Sequence, residues 1–110
     1  MAEFIKGDIV VVPFPFSNLS EVKKRPAFVV NELRGDDVIL CQITSQTIKD
    51  KYSVVIKKTD FVSGSLSVNS NVRPNRIFTA DKSIILYKVG SIKENKIKEI
   101  VQKIIGIVSK

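Results

Sequence analysis

The sequence has no histidine, and among its 110 residues there is one cysteine, Cys41. Without histidine there is no Ser-His-Asp triad, no cysteine–histidine couple and no nuclease that works with paired imidazoles. One cysteine gives neither a zinc site of the usual kind nor an intrachain disulfide framework. A lone thiol in an apolar run fits a reducing compartment and reads as a small buried hydrophobe. Long apolar runs are missing too. Ile9 to Val12 and Ile84 to Tyr87 fall far short of the roughly 20 residues that span a bilayer. The opening Met-Ala-Glu-Phe-Ile-Lys carries no secretory signal pattern, so the expectation is a cytoplasmic protein without a membrane partner. No repeat, low-complexity tract or Pro/Gly/Ser-rich linker divides the chain, which reads as one domain over residues 1–110.

What is present is a globular composition, 44% hydrophobic and 26% charged, in the range of folded proteins. Eighteen basic residues oppose eleven acidic ones, for a net charge of +7 and a pI near 9.7. That imbalance favours polyanionic partners such as nucleic acid or an acidic protein tail. The groups left for chemistry are Arg, Lys, Ser, Thr, Tyr and a few carboxylates.

The patterning is mainly that of strands. Asp8 to Pro13 is a β-branched run stopped by Pro13 and Pro15. Phe14 to Lys24 is a loop, and Ala27 to Asn31 a strand with Pro26 at its start. Arg34 to Asp37 is a turn and Val38 to Ile43 the returning strand. After a loop over Ser45 to Lys51, Tyr52 to Ile56 reads as a strand. Asp60 to Asn71 reads as a long loop with room for one short helical turn, Val72 to Thr79 as extended, and Ile84 to Val89 as the last strand. Ser91-Ile92-Lys93-Glu94 has the capping-box pattern. Ile97, Ile100, Val101, Ile104 and Val108 follow at helical spacing, predicting a terminal amphipathic helix. Short strands closed by one helix predict a mainly β fold, a small SH3-like barrel that the helix plugs or flanks.

Several segments, in order, resemble the MazF/PemK family of toxins. Gly7-Asp8-Ile9-Val10 resembles its opening strand, Lys24 to Val30 its Arg-Pro-hydrophobic segment, and Ile43-Thr44-Ser45-Gln46 the Thr-bearing end of its third strand. Asn75-Arg76-Ile77 resembles a later polar-Arg/Lys-Ile segment, and the closing helix matches as well. The resemblance implies the MazF/CcdB-like toxin fold and a sequence-selective, metal-independent endoribonuclease, with Arg25 and Thr44 as catalytic residues on single-stranded RNA. It also implies a homodimer, a cognate antitoxin with an acidic tail, and no cofactor. The loop Phe14 to Lys24 would shift over the RNA, and its Ser20-Glu21 pair resembles one often seen there. A CcdB-type toxin that binds gyrase without cutting shares the fold. A non-catalytic nucleic-acid-binding barrel and an inactive family member are the remaining alternatives.

The residue types suit that chemistry. The Arg25 guanidinium presents planar donors that can span two phosphate oxygens, and the Thr44 hydroxyl donates or accepts. Arginine does not give up its proton, so the acceptor of the 2′-OH proton is open between Glu21, Tyr52 and a water held by one of them. Lys23, Lys24, Lys49, Arg73 and Arg76 are candidates for an electrostatic track along a single strand. Phe16 and Tyr52 are candidates for stacking on bases, and Gln46 for a base edge. Each has a plain alternative: Phe16 in the core, Gln46 as exposed loop, Thr44 satisfying a turn at a strand end, and the cations as solvated surface.

Overall fold

A computed structural model describes residues 4–14, 23–48 and 50–110. Seven strands form one antiparallel sheet: β1 (Asp8–Phe14), β2 (Lys23–Glu32), β3 (Asp37–Thr44), β4 (Val54–Ile56), β5 (Phe61–Gly64), β6 (Ser70–Asp81) and β7 (Tyr87–Ile92). Their order in space is β4-β6-β3-β2-β1-β7-β5. The sheet is curled into a half-barrel, and β4 and β5 form its two edges. The helix α1 (Glu94–Val108) follows β7 and packs against β6 and β4. It is neither long nor apolar enough to cross a membrane.

Both faces of the central strands are buried, which is why β1 to β3 read as nearly continuous apolar runs. Alternation along each strand divides the side chains between two cores. Ile9, Phe28, Cys41, Ile43 and Val72 join Ile97, Ile100 and Ile104 of α1 on one side. Val10, Val12, Ala27, Val29, Val38 and Leu40 pack on the other, covered in part by Phe78, Ala80, Ile84 and Ile85. Asp8 is the buried charged exception among the described residues, at 1% exposure. Its Oδ2 accepts from the Ile5 N–H at 3.0 Å, and the Lys88 ammonium lies 3.2 Å from Oδ1. The carboxylate thereby ties the turn before β1 to β7, as a buried charge requires.

Several sequence expectations need correction. Lys23 and Lys24 belong to β2 rather than to the loop, and Pro26 lies inside that strand, paired with Val11. The proline is tolerated because pairing with β3 begins only at Ala27, so no ladder bond to β3 is lost. Tyr52 and Ser53 precede β4 rather than open it. The short helical turn falls at Lys58–Asp60, and Phe61–Gly64, taken for loop, is the edge strand β5. Ile84 ends a short helical turn, so the last strand starts at Tyr87. Ser91 does not cap the helix: it lies in β7, its hydroxyl 3.0 Å from that of Ser63, and Lys93 holds the N-cap position without a side-chain bond. Of the helical stripe, Ile97, Ile100 and Ile104 are buried, Val101 is half-buried, and Val108 is 70% exposed. Of the loop expected over Phe14 to Lys24, Phe14 ends β1 and residues 15–22 lie outside the described residues.

The β5–β7 edge depends on two glycines. A Cβ on Gly64 would collide with the Val89 carbonyl oxygen, and one on Gly90 with that of Ser63. Gly64 also has φ +67, whereas Gly35, at φ +83 in the β2–β3 turn, faces open space. Thermal melts should therefore separate the two. Gly35→Ala should cost only the left-handed backbone penalty, about 1–2 kcal/mol, and Gly64→Ala clearly more. Equal melting temperatures would contradict a sterically closed edge.

Candidate active site

β2 and β3 are the limbs of a hairpin, and their ladder builds the site. Ala27 pairs with Gln42 and Phe28 with Cys41. Continued two residues outward, that register brings Arg25 abreast of Thr44, on one face of the sheet. Residues 23 to 26 pair with β1 but not with β3, so the two strands part there. Arg25 and Thr44 line the resulting cleft of about 250 Å³ with Lys24, Pro26, Ile43 and Ser45. The far wall is the segment between β5 and β6, through Leu66, Ser67, Val68 and the first residue of β6, Ser70.

Arg25 is half-buried, and no hydrogen bond or ion pair holds its guanidinium among the described residues. Thr44 is only 8% exposed, yet it reaches the cleft. Its Oγ1 accepts from the Gln46 N–H at 3.2 Å, so the strand-end turn contact is real. An accepted bond still leaves the hydroxyl proton free to donate into the cleft. No carboxylate lines the cleft among the described residues, and Lys24 adds a second cation at its rim. Arrayed N–H and O–H donors without a competing anion suit a phosphate diester whose charge rises during reaction. Among the described residues, no three His, Cys, Asp or Glu side chains cluster to hold a metal.

Nothing in the sequence points to the far wall. Ser70 is buried, its hydroxyl donating to the Val68 carbonyl at 3.1 Å, which fixes the turn that presents Val68 at 55% exposure. The Ser/Asn/Gly content of this segment signalled turn chemistry, and nothing local says which cleft a turn will border.

The other candidates are placed as follows. Lys23 is exposed beside the cleft-lining Lys24, and Gln46 is exposed, its N–H on Thr44 and its carbonyl accepting from Asn71 Nδ2 at 2.9 Å. Arg73 is turned to Asp50, 3.6 Å away, and Arg76 is exposed where β6 bulges between Arg73 and Ile77. Tyr52 lines a separate cleft against α1. Phe16, Glu21 and Lys49 lie outside the described residues.

The segment after Thr44 is pinned at several points. Asp50 accepts from the N–H groups of Tyr52, at 2.9 Å, and Ser53, at 3.0 Å. Partial burial pushes its carboxyl up, but those two bonds and the Arg73 guanidinium outweigh it and hold it below the usual carboxylate range.

The family model that matches, over residues 5–108, is that of the PemK-like, MazF-like toxin of type II toxin-antitoxin systems. No curated protein matches the chain by sequence. Among solved structures, MazF (Form-I) from Deinococcus radiodurans superposes with a TM-score of 0.78 at 17% identity, covering 100% of both chains. An endoribonuclease in complex with its cognate antitoxin, from a mycobacterial species, gives 0.76 at 14% identity, covering 97% of this chain and 96% of that one. MazE-MazF (Form-III) from Deinococcus radiodurans gives 0.75 at 17% identity, covering 96% and 95%. At such identities these likenesses speak for the fold.

The Asp50 clamp carries a pH signature. A carboxyl held low in the folded state contributes its full stabilisation above its unfolded value, about 3.9, and loses it as pH falls through the folded value. Asp50→Ala at neutral pH should therefore speed amide exchange at Tyr52 and Ser53, and the unaltered protein should show the same loosening only under acid. Unchanged exchange at both amides would mean that the segment is held in some other way.

Proposed function

Because the chain belongs to the PemK-like, MazF-like toxin family of type II toxin–antitoxin systems, we propose that it is a sequence-selective endoribonuclease that cleaves single-stranded RNA without a metal. The observation that carries this reading is that Arg25 and Thr44, at the parted ends of β2 and β3, line one open cleft together with Lys24 and three serines.

Metal-free cleavage uses the ribose 2′-oxygen as nucleophile. Its bond to phosphorus forms as the bond to the 5′-oxygen breaks, leaving a 2′,3′-cyclic phosphate and a free 5′-hydroxyl. Charge accumulates on the non-bridging oxygens at the pentavalent stage. Arg25, planar and permanently charged, spans two of those oxygens. Thr44, its acceptor side already engaged by Gln46, donates to a third acceptor or to the leaving oxygen. Lys24 and Lys23 attract the strand. Of the sequence's candidate proton acceptors, Tyr52 lines a different cleft, which weighs against it here, and Glu21 lies outside the described residues.

The partners of this reading are single-stranded RNA, a second copy of the chain, and an antitoxin whose acidic tail would meet the +7 surface and compete with RNA. One structural neighbour is an endoribonuclease in complex with its cognate antitoxin, and two others are MazE-MazF assemblies. The work would be done in the cytoplasm.

Incubation with single-stranded RNA in EDTA tests the proposal directly. Cuts at defined sequences ending in a cyclic phosphate are expected. Arg25→Ala and Thr44→Ala should each lower the rate by about 10²–10³, the cost of removing one preorganised donor. Full activity in Arg25→Ala would remove the site assignment. No cutting by the unaltered protein would favour a toxin that acts by binding, of the CcdB type, or a barrel that only binds nucleic acid.

A further inference from the structure

A second cleft, of about 280 Å³, lies between the segment leading into β4 and the last turns of α1. Lys51 and Tyr52 line one side, and Lys103, Gly106, Ile107 and Lys110 the other. Three of the lining residues are lysines, and no Asp or Glu lines it among the described residues. Lys103 Nζ donates to the Lys51 carbonyl at 3.2 Å, fastening the segment to the helix. The ammonium groups of Lys51 and Lys110 have no hydrogen bond or ion pair among the described residues. Tyr52 and Ile107 are half-buried, giving the cleft an apolar lining beneath its charged rim.

Gly106 needs an explanation that packing does not supply. Glycine is among the poorest residues for a helix interior, φ is not positive there, and a Cβ would meet nothing within 4 Å. No contact among the described residues requires the residue to be bare. What its absence of a side chain does is leave open the helix side of a cleft whose other side carries Tyr52. The C-terminal end of a helix repels anions, so a phosphate here depends on the lysines: Lys51 on the facing segment and Lys110, two residues past the end of α1, offset that field.

We propose that this cleft binds a nucleotide, its base lying against Tyr52 and the Gly106–Ile107 surface and its phosphate held by Lys51 and Lys110. The proposal rests on the RNA-cleaving reading for its occupant, a nucleotide of the same strand outside the scissile pair. Both clefts border one pinned segment: Ser45 lines the first, Lys51 and Tyr52 the second. Between these residues the chain spans at most about 20 Å, a reach that a short run of single strand can follow. Asn71 on the Gln46 carbonyl, Arg73 at Asp50 and Lys103 on the Lys51 carbonyl hold that segment at Gln46, Asp50 and Lys51. A strand seated in the first cleft therefore meets the second in a fixed relation.

The test uses the full chain and 2′-O-methyl RNA, which lacks the internal nucleophile and stays intact. Strands of about 4 and about 16 nucleotides bracket known single-strand site sizes. Gly106→Trp, whose Cβ meets nothing within 4 Å and whose ring would occupy the cleft, and Lys110→Glu should each weaken the long strand about tenfold and the short one much less. Lys110→Glu should also lower the salt dependence of long-strand binding by about one ion. Lys98→Glu, the same charge change on α1 outside the cleft, is the control. A mononucleotide titration followed by Tyr52 resonances distinguishes the source. Saturation by mononucleotide with no effect of Gly106→Trp on the long strand assigns the cleft to free nucleotide instead of RNA. Equal losses for both strand lengths, or an equal loss from Lys98→Glu, would reduce the effect to general charge and overturn the subsite. Long strands bound by the unaltered protein and by Gly106→Trp alike, with no mononucleotide response, overturn the subsite alone. No RNA bound at any length by the unaltered protein brings down the RNA reading as well.

Discussion

The β2–β3 register is the constraint from which the candidate chemistry follows. Near the turn, Asn31 pairs with Ile39 and Glu32 with Val38; below it, Val29 pairs with Leu40 and Ala27 with Gln42. The two stretches differ by one residue, taken up by a bulge at Val30 in β2. Had the register at the turn continued unbroken, Arg25 would stand opposite Ser45, and every side chain of one strand would have changed faces relative to the other. The bulge sets Arg25 against Thr44 and, by the same shift, places Phe28 and Cys41 in one core and Ala27 and Leu40 in the other. Packing and site are fixed together, so the register cannot slip without exposing a core.

Pro26 turns that register into an opening. Lacking an N–H, it cannot donate to a neighbouring strand, and the β2–β3 ladder stops just above it. β1 continues to hold β2 down to Lys23, so the strand stays extended while its other side separates from β3. A continuous ladder would bring Arg25 and Thr44 into one closed sheet surface. The gap instead lets the β5–β6 segment approach as a third wall. β6 assists by bulging between Arg73 and Ile77, which bends its lower end toward β4 and brings Ser70 and Asn71 beside Thr44.

How much of this the sequence discloses depends on how local each cause is. The hairpin turn, the apolar strands and the helix come from short-range patterns, and all are found. Arg25 and Thr44 were singled out through an ordered family resemblance, and the structure puts them on one cleft. What the sequence does not disclose is set by distant partners. Phe61–Gly64 looks like loop because its Ser and Gly content suits a turn, yet it is a strand because Gly64 and Gly90 allow β5 and β7 to approach closely. Ser91 fits a capping pattern, but pairing with Ser63 keeps it in β7 and the helix starts later. Val108 continues the helical period after the sheet beneath has ended, and so stays exposed.

The anchoring of the segment after Thr44 unites these features in a single electrostatic design. A polyanion brings charge to a surface that is already +7, and a flexible cationic loop would have to be ordered as it binds, at a cost in rotamer and backbone entropy. Here that cost falls on folding. Asp50 accepts two backbone N–H groups and faces Arg73, while Lys103 and Asn71 engage two carbonyls of the same segment. The only carboxylate among these contacts is spent on holding the loop and lines neither cleft. The clefts keep their donors and cations unopposed, and charge that develops on a phosphate meets groups already in position. Arg25 has no internal partner to leave behind among the described residues, so its donors can turn to substrate without breaking a bond in the protein.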